Sequence, residues 1–147
     1  MATVGEYSQS YSTDIAASAE ACFEVLIDFE RYPQWSSPIQ VCQVLDRYPD
    51  GLPRRVEFQM NMTIKTLRYV LEYEYDRPRG ARWHLVEGDV AGVEGDYRFE
   101  ESGGKTRATC NQAIDVGFWV PGFLRSTFEA KALHDSVEEF RTAVEGA

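Results

Sequence analysis

The sequence predicts an α+β fold, a strongly curved antiparallel sheet of about seven strands wrapped on a long C-terminal helix, with room for an internal cavity. Three observations carry this reading. Strict two-residue alternation runs through the middle of the chain, with Val56, Phe58, Met60, Met62 and Ile64 set against Arg55, Glu57, Gln59, Asn61 and Thr63. Near the end, Phe128, Leu133, Val137, Phe140 and Val144 form an amphipathic helical stripe, with Glu138 and Glu139 on its other side. An antiparallel sheet with one dry face needs a cover, and the terminal helix supplies it. A strongly twisted sheet resting on one helix need not close tightly, so a cavity can remain.

The elements follow in order. "SYSTDIAA" (10–17) reads as a first strand, with Tyr11, Thr13 and Ile15 on one face. Ser18 suits an N-cap, and Glu20 falls in the first turn, where the helix dipole favours it. Cys22, Val25, Leu26 and Phe29 recur at helical spacing, and this helix should stop before Pro33. "IQVCQVLDRYPDGLP" is a strand ending in a turn at Pro49-Asp50-Gly51. The apolar parity flips from even at Ile64 to odd at Leu67, Tyr69, Leu71, Tyr73 and Tyr75, which requires a turn or bulge near Thr63 to Thr66. Pro78 and Gly80 break the chain before "RWHLVEG", and Val93, Tyr97 and Phe99 share a parity in the next strand. Gly95 is an isolated strand glycine and suggests a bulge or sharp bend. Gly103-Gly104 makes a hairpin, after which Ala108, Cys110, Gln112 and Ile114 fall together. Residues 39 to 116 are thus about six antiparallel strands, and Pro121 opens the final helix.

Composition narrows the function. A chain of 147 residues suits one domain, 1–147, with a real core at 44% hydrophobic residues. Fifteen basic against 24 acidic residues leave a formal net charge of −9, which disfavours nucleic acid and anionic lipid headgroups as partners. Cys22, Cys42 and Cys110 are scattered, with no zinc spacing, and read as buried apolar groups in a reducing, cytoplasmic setting. The first residues do not resemble a signal peptide, and no apolar run is long enough for an integral membrane segment. His84 falls on the outward parity and His134 off the helix stripe, so neither a metal site nor a triad is expected. Asp115 has outward parity and reads as a turn residue, not an acid. No phosphate loop or nucleophile motif occurs, and no cofactor is expected.

One stretch stands out. "DFERYPQW" (28–35) packs Phe29, Tyr32, Pro33 and Trp35 into a connection. Together with "LEYEYDRPRGARWHLVEG", "GDYRFEESGGKTRATC" and "VPGFL" at their places, it resembles the START-like (SRPBCC, helix-grip) superfamily, and within it the polyketide cyclase/dehydrase and coenzyme Q-binding branch. The resemblance spans about residues 8 to 145. It implies that the turns after the first helix close one end of a cavity, with Trp35 over the opening. Trp35 plugging the core edge is the plain alternative. The same fold serves carriers and enzymes, so fold alone does not give function.

Candidate ligand-binding residues are those of inward parity or in the aromatic segments: Trp35, Phe58, Met60, Met62, Tyr69, Tyr73, Trp83, Tyr97, Gln112, Phe118, Trp119, Phe123 and Phe128. Methionines adapt to irregular apolar pockets. Inward phenols, Tyr75 among them, and Gln112 could orient a carbonyl oxygen. No acid–base or nucleophile constellation appears, so catalytic residues remain unassigned. The balance favours binding of a small, largely apolar ligand (lipid, quinone or polyketide-like aromatic) over an aromatase/cyclase or dehydrase. An interaction protein without a ligand, paired as a homodimer or with another protein, is the third alternative.

Overall fold

The computed structural model describes residues 9–62, 65–117 and 122–147, with side chains of the last stretch described from Glu129 onward. Strand β1 (Gln9–Ile15) leads into helix α1 (Ala19–Ile27), and a 3-10 turn (Phe29–Arg31) and short helix α2 (Tyr32–Trp35) follow. Six strands come next: β2 (Ile39–Arg47), β3 (Pro53–Asn61), β4 (Thr66–Asp76), β5 (Gly80–Gly88), β6 (Gly92–Ser102) and β7 (Lys105–Asp115). Helix α3 (Gly122–Glu145) ends the chain. All seven strands form one antiparallel sheet in the order β1-β7-β6-β5-β4-β3-β2.

The alternation in the sequence sets the register. Phe58 pairs with Tyr69 and Val56 with Leu71 across β3 and β4, and Tyr73 with Trp83 across β4 and β5. These side chains are buried on the concave face. β3 ends at Asn61 and β4 begins at Thr66, where the parity flip demands a turn, and the Met62 N–H donates to the Lys65 carbonyl at 3.0 Å. Met62 therefore lies past the strand, and Ile64 lies outside the described residues.

Ser18 caps α1, its hydroxyl accepting the Ala21 N–H at 3.1 Å. The helix ends earlier than Pro33. The chain leaves helical geometry at Asp28 (φ −84°, ψ 63°), while Tyr32, just before the proline, is helical (φ −51°, ψ −41°). Pro33 instead falls in the first turn of α2, where a missing N–H costs nothing. The Tyr32 hydroxyl, buried, donates to the Leu26 carbonyl at 2.5 Å and ties the break to the end of α1.

Gly95 marks no bulge. Its pairing with Trp83 on one side and Gln112 on the other is regular. A Cβ there would lie 2.5 Å from the Trp83 indole, so the glycine exists to let that ring lie flat on the sheet.

Leu133, Val137, Phe140 and Val144 of α3 are buried against the sheet. The acidic side of the helix makes bonds of its own. Glu138 accepts the Tyr11 hydroxyl of β1 at 2.7 Å, and Glu145 accepts the Ala16 N–H at 2.9 Å. Glu139 accepts the N–H and hydroxyl of Ser37, just past α2. Neighbouring carboxylates thus hold the helix to the two sides of the curled sheet. Phe128 lies outside the described side chains.

Candidate functional site

Between α3 and the concave face lies a cavity of about 600 Å³. Its floor comes from the inward positions of β3 to β7, among them Phe58, Met60, Tyr69, Leu71, Tyr73, Trp83, Tyr97, Cys110 and Gln112. Leu133, Ser136 and Phe140 of α3 form the roof. Trp35, Ser36, Pro38 and Ile39 close one side. The strand directions put the start of β2, the β3–β4 turn and the end of β7 at one end of the sheet, where Pro38, Met62 and Asp115 line the space.

The predicted residues Trp35, Phe58, Met60, Met62, Tyr69, Tyr73, Trp83, Tyr97 and Gln112 are thus brought together around one space. Phe118, Trp119, Phe123 and Phe128 lie outside the described residues or side chains. Trp35 is half-buried. Its ring lies 4.7 Å from Tyr32 and 5.9 Å from Phe140, so it is wall as well as edge. Tyr75 does not serve as predicted. Its hydroxyl donates to the Pro53 carbonyl at 2.6 Å, and the residue is no part of the lining. Sequence reasoning missed Ser136. It sits three positions after Leu133 and four before Phe140, a polar residue on the apolar stripe, and that spacing was the available signal.

The polar groups of the cavity are few. The hydroxyls of Tyr69, Tyr73 and Tyr97 have no hydrogen-bond partner among the described residues. Nor are they sealed in, since the fully buried side-chain polar atom lacking a partner among those residues is Arg55 Nε. They open on the cavity. Burial pushes the phenols of Tyr73 and Tyr97 well above the ordinary tyrosine range, and that of Tyr69 upward as well. The apolar walls disfavour the phenolate, so these groups stay protonated and donate. Burial likewise raises the Cys110 thiol, which is therefore a neutral wall group and not a thiolate nucleophile.

The histidines stand elsewhere. His84 is exposed, 4.0 Å from Glu72, and His134 is exposed, bonded to Asp135 at 3.2 Å and edge-on to Tyr11. Asp115 accepts the Gly117 N–H at 2.9 Å, as a turn residue does, but it borders the cavity, against the outward position its parity predicts. Among the described residues, no group of three or more His, Cys, Asp or Glu side chains could hold a metal ion, and no helix is long and apolar enough to cross a membrane.

A seven-stranded grip on one long helix, hollow along the contact, defines the START-like class. The family model for polyketide cyclase / dehydrase and lipid transport matches residues 15–141, and the chain belongs to that family. No curated protein matches the sequence. Among solved structures, a START superfamily protein from Mycobacterium smegmatis is similar at 25% identity and a TM-score of 0.86, over 94% of this chain and 97% of that one. The Zhui aromatase/cyclase from Streptomyces sp. R1128 shares the fold at 16% identity and a TM-score of 0.76, over 93% and 92%. A STAR-related lipid transfer protein from Xanthomonas axonopodis does so at 12% and 0.72, over 92% and 84%.

Proposed function

We propose that the protein binds a small, largely apolar molecule in the cavity between sheet and α3, as a carrier or sensor and without chemistry of its own. One observation carries this: the helix–sheet space is not filled by side chains but leaves about 600 Å³, walled by flat rings and methionine. That volume falls in the usual range for small-molecule sites, which are mostly apolar with a few placed polar groups. Removal of the ligand's surface from water drives its entry. The phenols and the Cys110 thiol at hand are held protonated and serve as neutral wall groups, which supports the binding reading. Membership of a family that includes lipid transport supports the same reading.

The test is a titration with diphenylhexatriene, an uncharged hydrocarbon whose fluorescence rises in apolar surroundings, beside native mass spectrometry of freshly purified protein. Saturation at one probe per chain is the expected result. A fluorescence that rises without saturating, with no mass increment in the spectrum, would end the proposal.

A further inference from the structure

Resting on that reading, we infer that the cavity selects an uncharged ligand bearing acceptor oxygens, an ester, ketone or quinone carbonyl, and rejects the carboxylate of a free fatty acid. The observation is a division of polar groups along the cavity. Tyr73, Trp83 and Tyr97 sit on three consecutive strands, with ring centroids 5.6 Å apart for Tyr73 and Trp83 and 6.1 Å apart for Trp83 and Tyr97. Tyr69 is four residues before Tyr73 on β4, roughly 13 Å nearer the end where the β3–β4 turn lies. The three phenol hydroxyls have no partner among the described residues and open on the void. A hydroxyl in an apolar cavity gains most from an acceptor that comes with the ligand.

The charges in the lining have one sign. Asp115 and Glu129 both border the space, and no lysine, arginine or histidine does so among the described lining residues. A carboxylate entering would leave water for phenols that cannot neutralise it, and would pass Asp115, an acid of its own sign. A carbonyl meets neither cost. An ester or ketone oxygen can accept from Tyr73 or Tyr97 while the carbon chain or ring lies on Phe58 and Trp83. The Tyr69 hydroxyl, higher along β4, provides for a second oxygen.

cis-Parinaric acid and its methyl ester make a matched pair, fluorescent on burial and differing only in the charged head. At pH 8 the ester should bind at least ten-fold more tightly than the acid. Tyr73→Phe and Tyr97→Phe remove one oxygen each and keep the ring. Each should lower the ratio of ester to diphenylhexatriene affinity roughly two- to twelve-fold, the worth of one hydrogen bond. Acid bound as tightly as ester overturns the inference, as does an unchanged ratio in both variants. If diphenylhexatriene binds and the ester shows no preference, the inference alone fails. If neither the hydrocarbon nor either form of parinarate binds, the cavity-binding reading fails with it.

Discussion

The tyrosines of this protein fall into two regions that treat the same side chain differently. At the edges of the grip, and at the cavity wall beside α1, their hydroxyls are tied: Tyr32 to the Leu26 carbonyl, Tyr48 to that of Tyr73, Tyr75 to that of Pro53, and Tyr11 to Glu138. In the hollow, the hydroxyls of Tyr69, Tyr73 and Tyr97 have no such tie among the described residues. Tyr32, Tyr48 and Tyr75 close the structure by satisfying backbone carbonyls that the turns and edges leave over, and Tyr11 by holding Glu138 of α3. Untied phenols cost stability unless something else meets them. On the proposed reading, these three phenols are the donors that a ligand would meet.

The strongest way to break that comparison is to damage the boundary. Phe140 is 1% exposed and touches Trp35, Tyr97 and Phe99, so it belongs to the packed core and to the cavity roof at once. Phe140→Ala should destabilise by about 3–5 kcal/mol in urea unfolding, the range for truncating a buried ring. A loss near 1 kcal/mol would mean that the roof is loose and that the hollow extends to the helix.

Alkali tests the walls next. The phenols of Tyr73 and Tyr97 are raised well above 10.0, the ordinary tyrosine value, because burial disfavours the phenolate. The folded state then holds protons that the unfolded chain releases. Their contribution is fully present below the unfolded pKa and declines as pH rises through and beyond about 10. Tyrosinate absorbance near 295 nm should therefore appear in part as a late step that coincides with loss of far-ultraviolet circular dichroism. If every phenol titrates smoothly near 10 with the fold intact, the cavity is wet and open.

Much of this architecture was legible in the sequence, for a physical reason. A strand's two-residue period and a helix's 3.6-residue period are local, so Phe58, Tyr73, Trp83 and Phe140 could be assigned to the interior from spacing alone. The Ser18 cap and the Gly103-Gly104 hairpin are local too. Parity says which way a side chain points, not whether the space it enters is filled. Tyr73 and Tyr75 share a parity and part company only because the Pro53 carbonyl of the neighbouring strand lies within reach of one of them. The role of Gly95 is hidden from its own strand for a similar reason. The ring that needs its missing Cβ belongs to another strand. Glu139 read as a surface residue, because helical spacing cannot show that the sheet curls far enough to bring Ser37 against it.

The smallest effect gives the sharpest comparison, since Tyr75 and Tyr73 are neighbours on one face of one strand. Tyr75→Phe deletes a hydroxyl that satisfies the Pro53 carbonyl at 2.6 Å. That acceptor sits at a buried residue, so losing its donor should cost about 1–3 kcal/mol. Tyr73→Phe deletes a hydroxyl without a partner among the described residues, and its ring keeps the contacts with Phe29 and Trp83. Removing it from ligand-free protein should change stability by less than about 0.5 kcal/mol, because no bond is broken and a polar group leaves an apolar wall. Paired urea melts of the two variants, on protein stripped of bound molecules, measure the difference. Equal losses would place a hidden partner on Tyr73 and remove it from the donors available to a ligand. A gain in stability for Tyr73→Phe would show that its hydroxyl is kept for binding at a cost to the fold.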